Sequence, residues 1–322
     1  MSTQVWTTQD MVDMSGKTVL VTGGNGGIGY VSCKASASLA RRLQTNISQE
    51  LLRKNAKVYI GARDSGKSRD AIRQLKEETG KEATLIPLDL SDLRQVRKAA
   101  EDFLSITTTI PLLRSQYIPI SSGVTTTSIE NLTSNSYDLQ FGVNVLGHVH
   151  LTSLLLPALL ASPAPRVINV SSAAHALTLS DGIHFKTLKG PKKATWIPGL
   201  GVKQSIQYYG QSKLGNILHA TELTRRYGHQ GLVAISLHPG LVKTDILREA
   251  PSWISRLTHT ACISPEQGAI TQLFAANAPE AAKLSGKYLV PYGKVETPSA
   301  FARDERLARK MWDWCEAELK SF

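Results

Sequence analysis

Short runs of β-branched and aliphatic residues alternate along the chain with longer stretches whose apolar positions recur every three or four residues. The short runs are KTVLVTGG, AKVYIGA, ATLIPLD, PRVINVSS, LVAISLHPG and KYLVP. Their length and composition read as buried strands, and the stretches between them as amphipathic helices. Such alternation predicts an α/β fold in which a mostly parallel, doubly wound sheet carries helices on both faces. With no internal repeat and no low-complexity linker, residues 1–322 read as one domain. Near the end, SAFARDERLARKMWDWCEAEL spaces Leu307, Met311, Trp314 and Leu319 for a helix packed on that sheet.

Composition supports this reading. The chain has 322 residues, 42% hydrophobic and 20% charged, enough apolar material for a large core. Its longest apolar stretch, around Leu151 to Ala161, falls short of the roughly 20 residues a membrane span requires, so a buried helix is expected. The first residues lack the charged start and apolar core of a signal peptide, which points to the cytoplasm. Cys33, Cys262 and Cys315 have neither disulfide nor zinc spacing and read as reduced thiols; no metal site is expected. The net charge of +11 is dispersed, with local clusters only at Arg41/Arg42 and Lys189 to Lys193. A nucleic-acid partner is therefore not expected, and a phosphate-bearing cofactor accounts for part of the charge.

Chemistry enters at the first strand. Thr22-Gly23-Gly24-Asn25-Gly26-Gly27-Ile28-Gly29 follows KTVLV and opens a helix, the setting of a dinucleotide-binding turn. Glycines let the backbone approach a pyrophosphate, and the helix N-terminus supplies amide donors. At the end of the second strand, where a carboxylate would take a ribose 2′-hydroxyl, stand Ala62 and Arg63. A cation there favours a 2′-phosphate, so NADP(H) is expected over NAD(H), with Lys67 and Ser68 as helpers to Arg63. The same region, Gly61-Ala62-Arg63-Asp64-Ser65-Gly66-Lys67-Ser68, also satisfies a P-loop pattern, with Asp89 as a metal-holding acid. That competing NTPase reading leaves the remaining motifs unexplained.

Further along, Tyr209-Gly210-Gln211-Ser212-Lys213 sets a phenol and an ammonium four residues apart on one helical face. A nearby cation favours the phenolate, which makes Tyr209 a workable proton shuttle. Asn169-Val170-Ser171-Ser172 ends a buried strand, where a hydroxyl reaches the ligand crevice at the carboxyl edge of the sheet.

Taken with Asn144 in NVLGH and His238-Pro239-Gly240 followed by Thr244, the order and spacing of these motifs resemble the short-chain dehydrogenase/reductase family over nearly the whole chain. YDLQFGVNVLGH, RVINVSSAAH and YGQSKLGNIL place the likeness in its retinol-dehydrogenase-like and fungal-type branch. The resemblance implies a Rossmann-type domain with Tyr209 as general acid/base and Lys213 holding the nicotinamide ribose. It implies Ser172 on the substrate oxygen, with Ser171 behind it, and Asn144 supporting a water-mediated proton path. On the cofactor it implies Gly23, Asn25, Gly27, Ile28 and Gly29 at the pyrophosphate, Asp89 at the adenine, and Gly240 and Thr244 at the carboxamide. Helix packing for Asn144 and helix capping for Thr244 are the alternative readings.

Two segments depart from the pattern. Residues 35–49 lengthen the first crossover, and deleting them gives a normal turn, helix and strand; they read as an insert, encoded by a retained intron. Leu39, Leu43, Ile47 and Leu51 nonetheless keep a helical spacing. In place of the family's fourth strand and its Asn-Asn-Ala-Gly signature stands RSQYIPISSGV, which keeps only Gly123. These departures leave a catalytically impaired nucleotide-binding protein, or a mis-spliced gene model, as the alternative to an active enzyme. Residues 173–207 and 246–262, which contain Leu177, Trp196, Ile197, Trp253 and Ile254, read as substrate-side loops. They suggest a small apolar alcohol, aldehyde or ketone as substrate. A homodimer is left open.

Overall fold

A computed structural model describes residues 5–22, 46–108, 130–190, 200–240 and 263–322. Thr18–Thr22 (β1), Lys57–Ala62 (β2) and Thr84–Pro87 (β3) pair in parallel, in the order β1-β2-β3. Arg166–Val170 (β4), Val233–Leu237 (β5) and Tyr288–Val290 (β6) form a second parallel set. Lys294–Glu296 (β7) closes its edge antiparallel to β6. The unusual fourth-strand region, through Gly123, lies outside the described residues, as do residues 23–45 and 241–262.

β1, β4 and β5 are buried on both faces, as a sheet covered on two sides requires. Val19 and Val21 of β1, Ile168 and Val170 of β4, and Ile235 and Leu237 of β5 share one cluster. That cluster also takes Leu75 of Gly66–Thr79 (α1), helical residues 46–53 through Ile47, Leu51 and Leu52, and Leu273 of the helix Pro265–Asn277. The alternate residues Leu20, Val167 and Ala234 join a second cluster with Phe103 of Leu93–Thr108 (α2) and with Leu151 and Leu155 of Leu139–Leu160 (α3). Leu223 of Leu200–Tyr227 (α4) packs there as well. With Pro265–Asn277 as α5 and Glu305–Leu319 as α6, this is the expected α/β, doubly wound architecture.

Several boundaries differ from the sequence reading. Residues 46–49, assigned to the insert, are helical, and Ile47 is 1% exposed in the core. Of residues 173–207, those from Leu200 onward belong to α4, so the stretch read as a substrate-side loop ends before Leu200. β7 escaped notice because Lys-Val-Glu has no apolar alternation; all three residues are exposed. α3 is 22 residues long, extended by the turns before the LLLPALL run, and is long and apolar enough to cross a membrane. In this fold 67% of its apolar window is buried against the sheet and neighbouring helices.

Candidate active site

The ends of five strands gather at one edge of the sheet. β1 ends at Thr22, paired with Gly61, and the Leu88 amide donates to the Ala62 carbonyl at 2.9 Å, so Arg63 and Asp89 leave the sheet side by side. β4 runs into Ser171 and Ser172, and β5 into His238 and Gly240. In such a sheet the carboxyl edge is where ligands bind.

α4 brings Tyr209 and Lys213 to the end of β4. Its approach depends on Gly210, because a Cβ there would lie 2.5 Å from the Leu177 carbonyl oxygen and 2.6 Å from that of Ala174. Lys213 is buried, and its Nζ donates to the Val170 carbonyl at 3.0 Å while lying 5.6 Å from the centre of the Tyr209 ring. Asn216, one turn on, donates to the same carbonyl at 2.9 Å. Burial pushes the Lys213 ammonium down to about 7. Burial pushes the Tyr209 phenol up to about 12, and a hydrogen bond with the Ser172 side chain pulls it the other way.

Ser172 caps the short turn Ala173–Ala176, its hydroxyl accepting the Ala174 amide at 3.2 Å. Ser171 is committed elsewhere: its hydroxyl donates to the Lys213 carbonyl at 2.7 Å. Ser172 thus faces the Tyr209 phenol, and Ser171 is bonded to the backbone of α4.

Asn144 sits inside a π-helical turn, Gly142–Leu146, within α3. Such turns recur at functional sites because they release backbone groups from the α-helical ladder. Its side-chain amide donates to Ser212 Oγ at 2.9 Å, and Ser212 Oγ donates to the Tyr209 carbonyl at 2.8 Å. Asn144 therefore braces α4 beside Tyr209 and Lys213. His148 ties this turn to the end of β1. Its Nδ1 faces the carbonyls of Val143 and Asn144 at 3.0 and 3.2 Å, which only accept, so Nδ1 carries the proton and Nε2 accepts from the Thr22 hydroxyl at 2.9 Å. His148, Asn216 and His175 lie within strings that suggested the family, but their roles depend on partners remote in sequence.

The remaining expected residues spread along the same edge. Asp89 Oδ1 accepts from the amide and hydroxyl of Ser91 at 2.9 and 2.7 Å. Gly240 has φ +101°, a left-handed conformation suited to glycine. Gly23, Asn25, Gly27, Ile28, Gly29 and Thr244 lie outside the described residues.

The P-loop reading does not fit this geometry. Gly61 belongs to β2, and the Ser65 hydroxyl already accepts the Ser68 amide at the start of α1. Asp64 holds Arg69 through two hydrogen bonds of 2.9 and 2.8 Å. GARDSGKS is a strand end and a capped helix start rather than a loop cradling phosphates. Ser68 is buried, and its hydroxyl donates to the Arg63 carbonyl at 2.6 Å; it shapes the arginine's loop instead of offering itself to a ligand.

A nicotinamide dinucleotide fits the donor set. Lys213 has three N–H donors, and among the described residues only the Val170 carbonyl takes one. A buried ammonium with spare donors at the sheet's carboxyl edge suits a ribose. Arg63, after β2, and Asp89, after β3, lie one and two strands beyond β1 along the same edge.

Comparison with known proteins agrees. Residues 39–189 match the family model for short chain dehydrogenases. The chain is 39% identical over 322 residues to a short-chain dehydrogenase/reductase of Armillaria gallica, covering 98% of this chain and 94% of that one. It is 34% identical over 305 residues to retinol dehydrogenase 11 of Homo sapiens, covering 94% and 85%. A solved structure from Mycobacterium paratuberculosis matches with a TM-score of 0.70 and 25% identity, covering 98% of both chains. NADPH-bound carbonyl reductase from chicken fatty liver shares the fold, with a TM-score of 0.61 and 20% identity over 92% of this chain and 100% of that one. In sequence, sheet order and site, this chain belongs to the short-chain dehydrogenase/reductase family.

Proposed function

We propose that this oxidoreductase uses NADP(H) and acts on an apolar alcohol, aldehyde or ketone, with Tyr209 as its general acid/base. The observation that carries the reading is the meeting of Ser172, Tyr209 and Lys213 at the end of β4. When bound, the nicotinamide donates hydride to a carbonyl carbon or receives it from an alcohol carbon. Ser172 donates a hydrogen bond to the substrate oxygen as negative charge develops there. Tyr209 delivers the proton to that oxygen in reduction and removes it in oxidation. Lys213 stabilises the resulting phenolate and orients the ribose, while Asn144 holds the α4 turn that carries both.

Two exposed aliphatic residues support an apolar substrate. Leu177 is 56% exposed, beside Gly210, and Ile206 is 46% exposed one turn before Gly210 on the same helical face. A human relative is named for an apolar alcohol, retinol. The choice of NADP(H) rests on Arg63, whose loop is fixed by Ser68. Titrating the protein with NADPH and NADH, following nicotinamide fluorescence, tests it: NADPH is expected to bind more tightly, and Arg63→Ala to abolish that preference. Equal affinities in the unmodified protein would contradict the choice of cofactor.

A further inference from the structure

His175 lies three residues beyond Ser172 and is buried, in the short turn that Ser172 caps. Its Nε2 faces the backbone amide of Ser299 at 3.1 Å, and its Nδ1 faces the Ser172 carbonyl at 2.8 Å. An amide N–H can only donate and a carbonyl can only accept. The imidazole is therefore held as the Nδ1–H tautomer, with Nε2 as the acceptor. The Ser172 carbonyl also receives the His175 amide at 3.0 Å, so two donors on one residue clamp its peptide plane. Clamping that plane fixes the backbone from which the Ser172 hydroxyl reaches Tyr209. The neighbouring titratable groups are the Tyr288 phenol, 3.4 Å from Nδ1, His238 stacked on the Tyr288 ring, and Glu296 on β7. Tyr209, on α4, hydrogen-bonds the Ser172 side chain.

We propose that His175 is a positioning residue for the reaction: through its Nδ1–H it holds Ser172 in register with Tyr209, and the Ser299 amide, in the segment after β7, sets the tautomer that allows this. The link joins the C-terminal part of the chain to the strand end that carries the catalytic hydroxyl. It rests on the oxidoreductase reading for its kinetic consequence but not for its geometry.

Two substitutions separate the two sides of the ring. In His175→Asn the amide nitrogen takes the place of Nδ1 and keeps the donor to Ser172. In His175→Gln the amide reaches the Nε2 position and keeps only the acceptor for Ser299. With a carbonyl substrate and NADPH, His175→Asn is expected to stay within about threefold of the unmodified kcat and His175→Gln to lose about tenfold, as expected for one hydrogen bond. The KM for NADPH should not change in either. Equal losses in the two variants, or no loss in His175→Gln, would overturn the proposal. A wild-type protein without turnover would count against the oxidoreductase reading instead. In that case the tautomer decides: 1H–15N correlation of the unmodified protein should show His175 protonated on Nδ1, and protonation on Nε2 would overturn the inference.

Discussion

Lys213 Nζ donates to the carbonyl oxygen of Val170 at 3.0 Å, so the cation of α4 is anchored to the last residue of the strand that continues into Ser172. One contact thereby ties together the two elements that carry Ser172 and Tyr209. It also leaves the ammonium buried, with no carboxylate beside it among the described residues, and burial has brought its proton affinity down to about 7.

That burial has a measurable signature. Between about 7 in the folded chain and 10.5 unfolded, the unfolded state binds more protons at Lys213. Stability contributed by this site therefore rises with pH across that window and is lost as pH falls through it. Lys213→Met should remove the rise, stabilise the cofactor-free protein at pH 7, and lower turnover by about 100-fold or more. Denaturant unfolding at several pH values checks the first two outcomes, and steady-state kinetics the third.

Buried histidines give the opposite end of the profile. Burial pushes His148 down to about 4 and His219 to about 3, so both stay neutral in the fold while their unfolded counterparts take protons near 6.5. Stability is present above 6.5 and is lost as pH falls toward 4; for His148 alone the loss is about 3 kcal/mol. Thermal midpoints should therefore drop between pH 6.5 and 4, and His219→Leu should flatten that drop.

Gly210→Ala tests the approach of α4. Its Cβ would press on two backbone carbonyls, Leu177 and Ala174, which cannot rotate away. The expected cost is about 1–3 kcal/mol of stability, with a fall in kcat as Tyr209 moves off Ser172. Unchanged stability and turnover would show that the turn has room to shift.

Ile47→Ala tests whether the end of the lengthened crossover belongs to the fold. Ile47 packs with Val19, Leu51 and Leu273 in the core, and truncation should cost about 2–5 kcal/mol by urea unfolding. A negligible loss would return residues 46–49 to the status of a dispensable insert.

The layering and the placing of Tyr209 and Lys213 on one helical face were legible because they depend on local patterns. Apolar runs such as TVLVT and RVINV declare strands buried on both faces, and Tyr209 and Lys213 fall on one helical face by spacing alone. The π-turn at Asn144 was not legible: its hydrogen-bond pattern reflects packing around Gly142–Leu146 rather than residue propensity. His148 and His175 stood in the diagnostic strings, yet their partners, Thr22 and Ser299, are more than a hundred residues away. The P-loop pattern shows the converse. GARDSGKS matches by residue type, while Gly61 is committed to β2 and Ser65 to a helix cap.

The central claim is that Tyr209 moves the proton in a nicotinamide-dependent reaction. The most direct measurement is NADPH consumption by the purified chain across a panel of apolar aldehydes and ketones, with Tyr209→Phe assayed beside it. The unmodified protein should turn over, Tyr209→Phe should lose about 100-fold or more, and NADPH binding should be unchanged in that variant. Turnover that survives the substitution undiminished would contradict the claim.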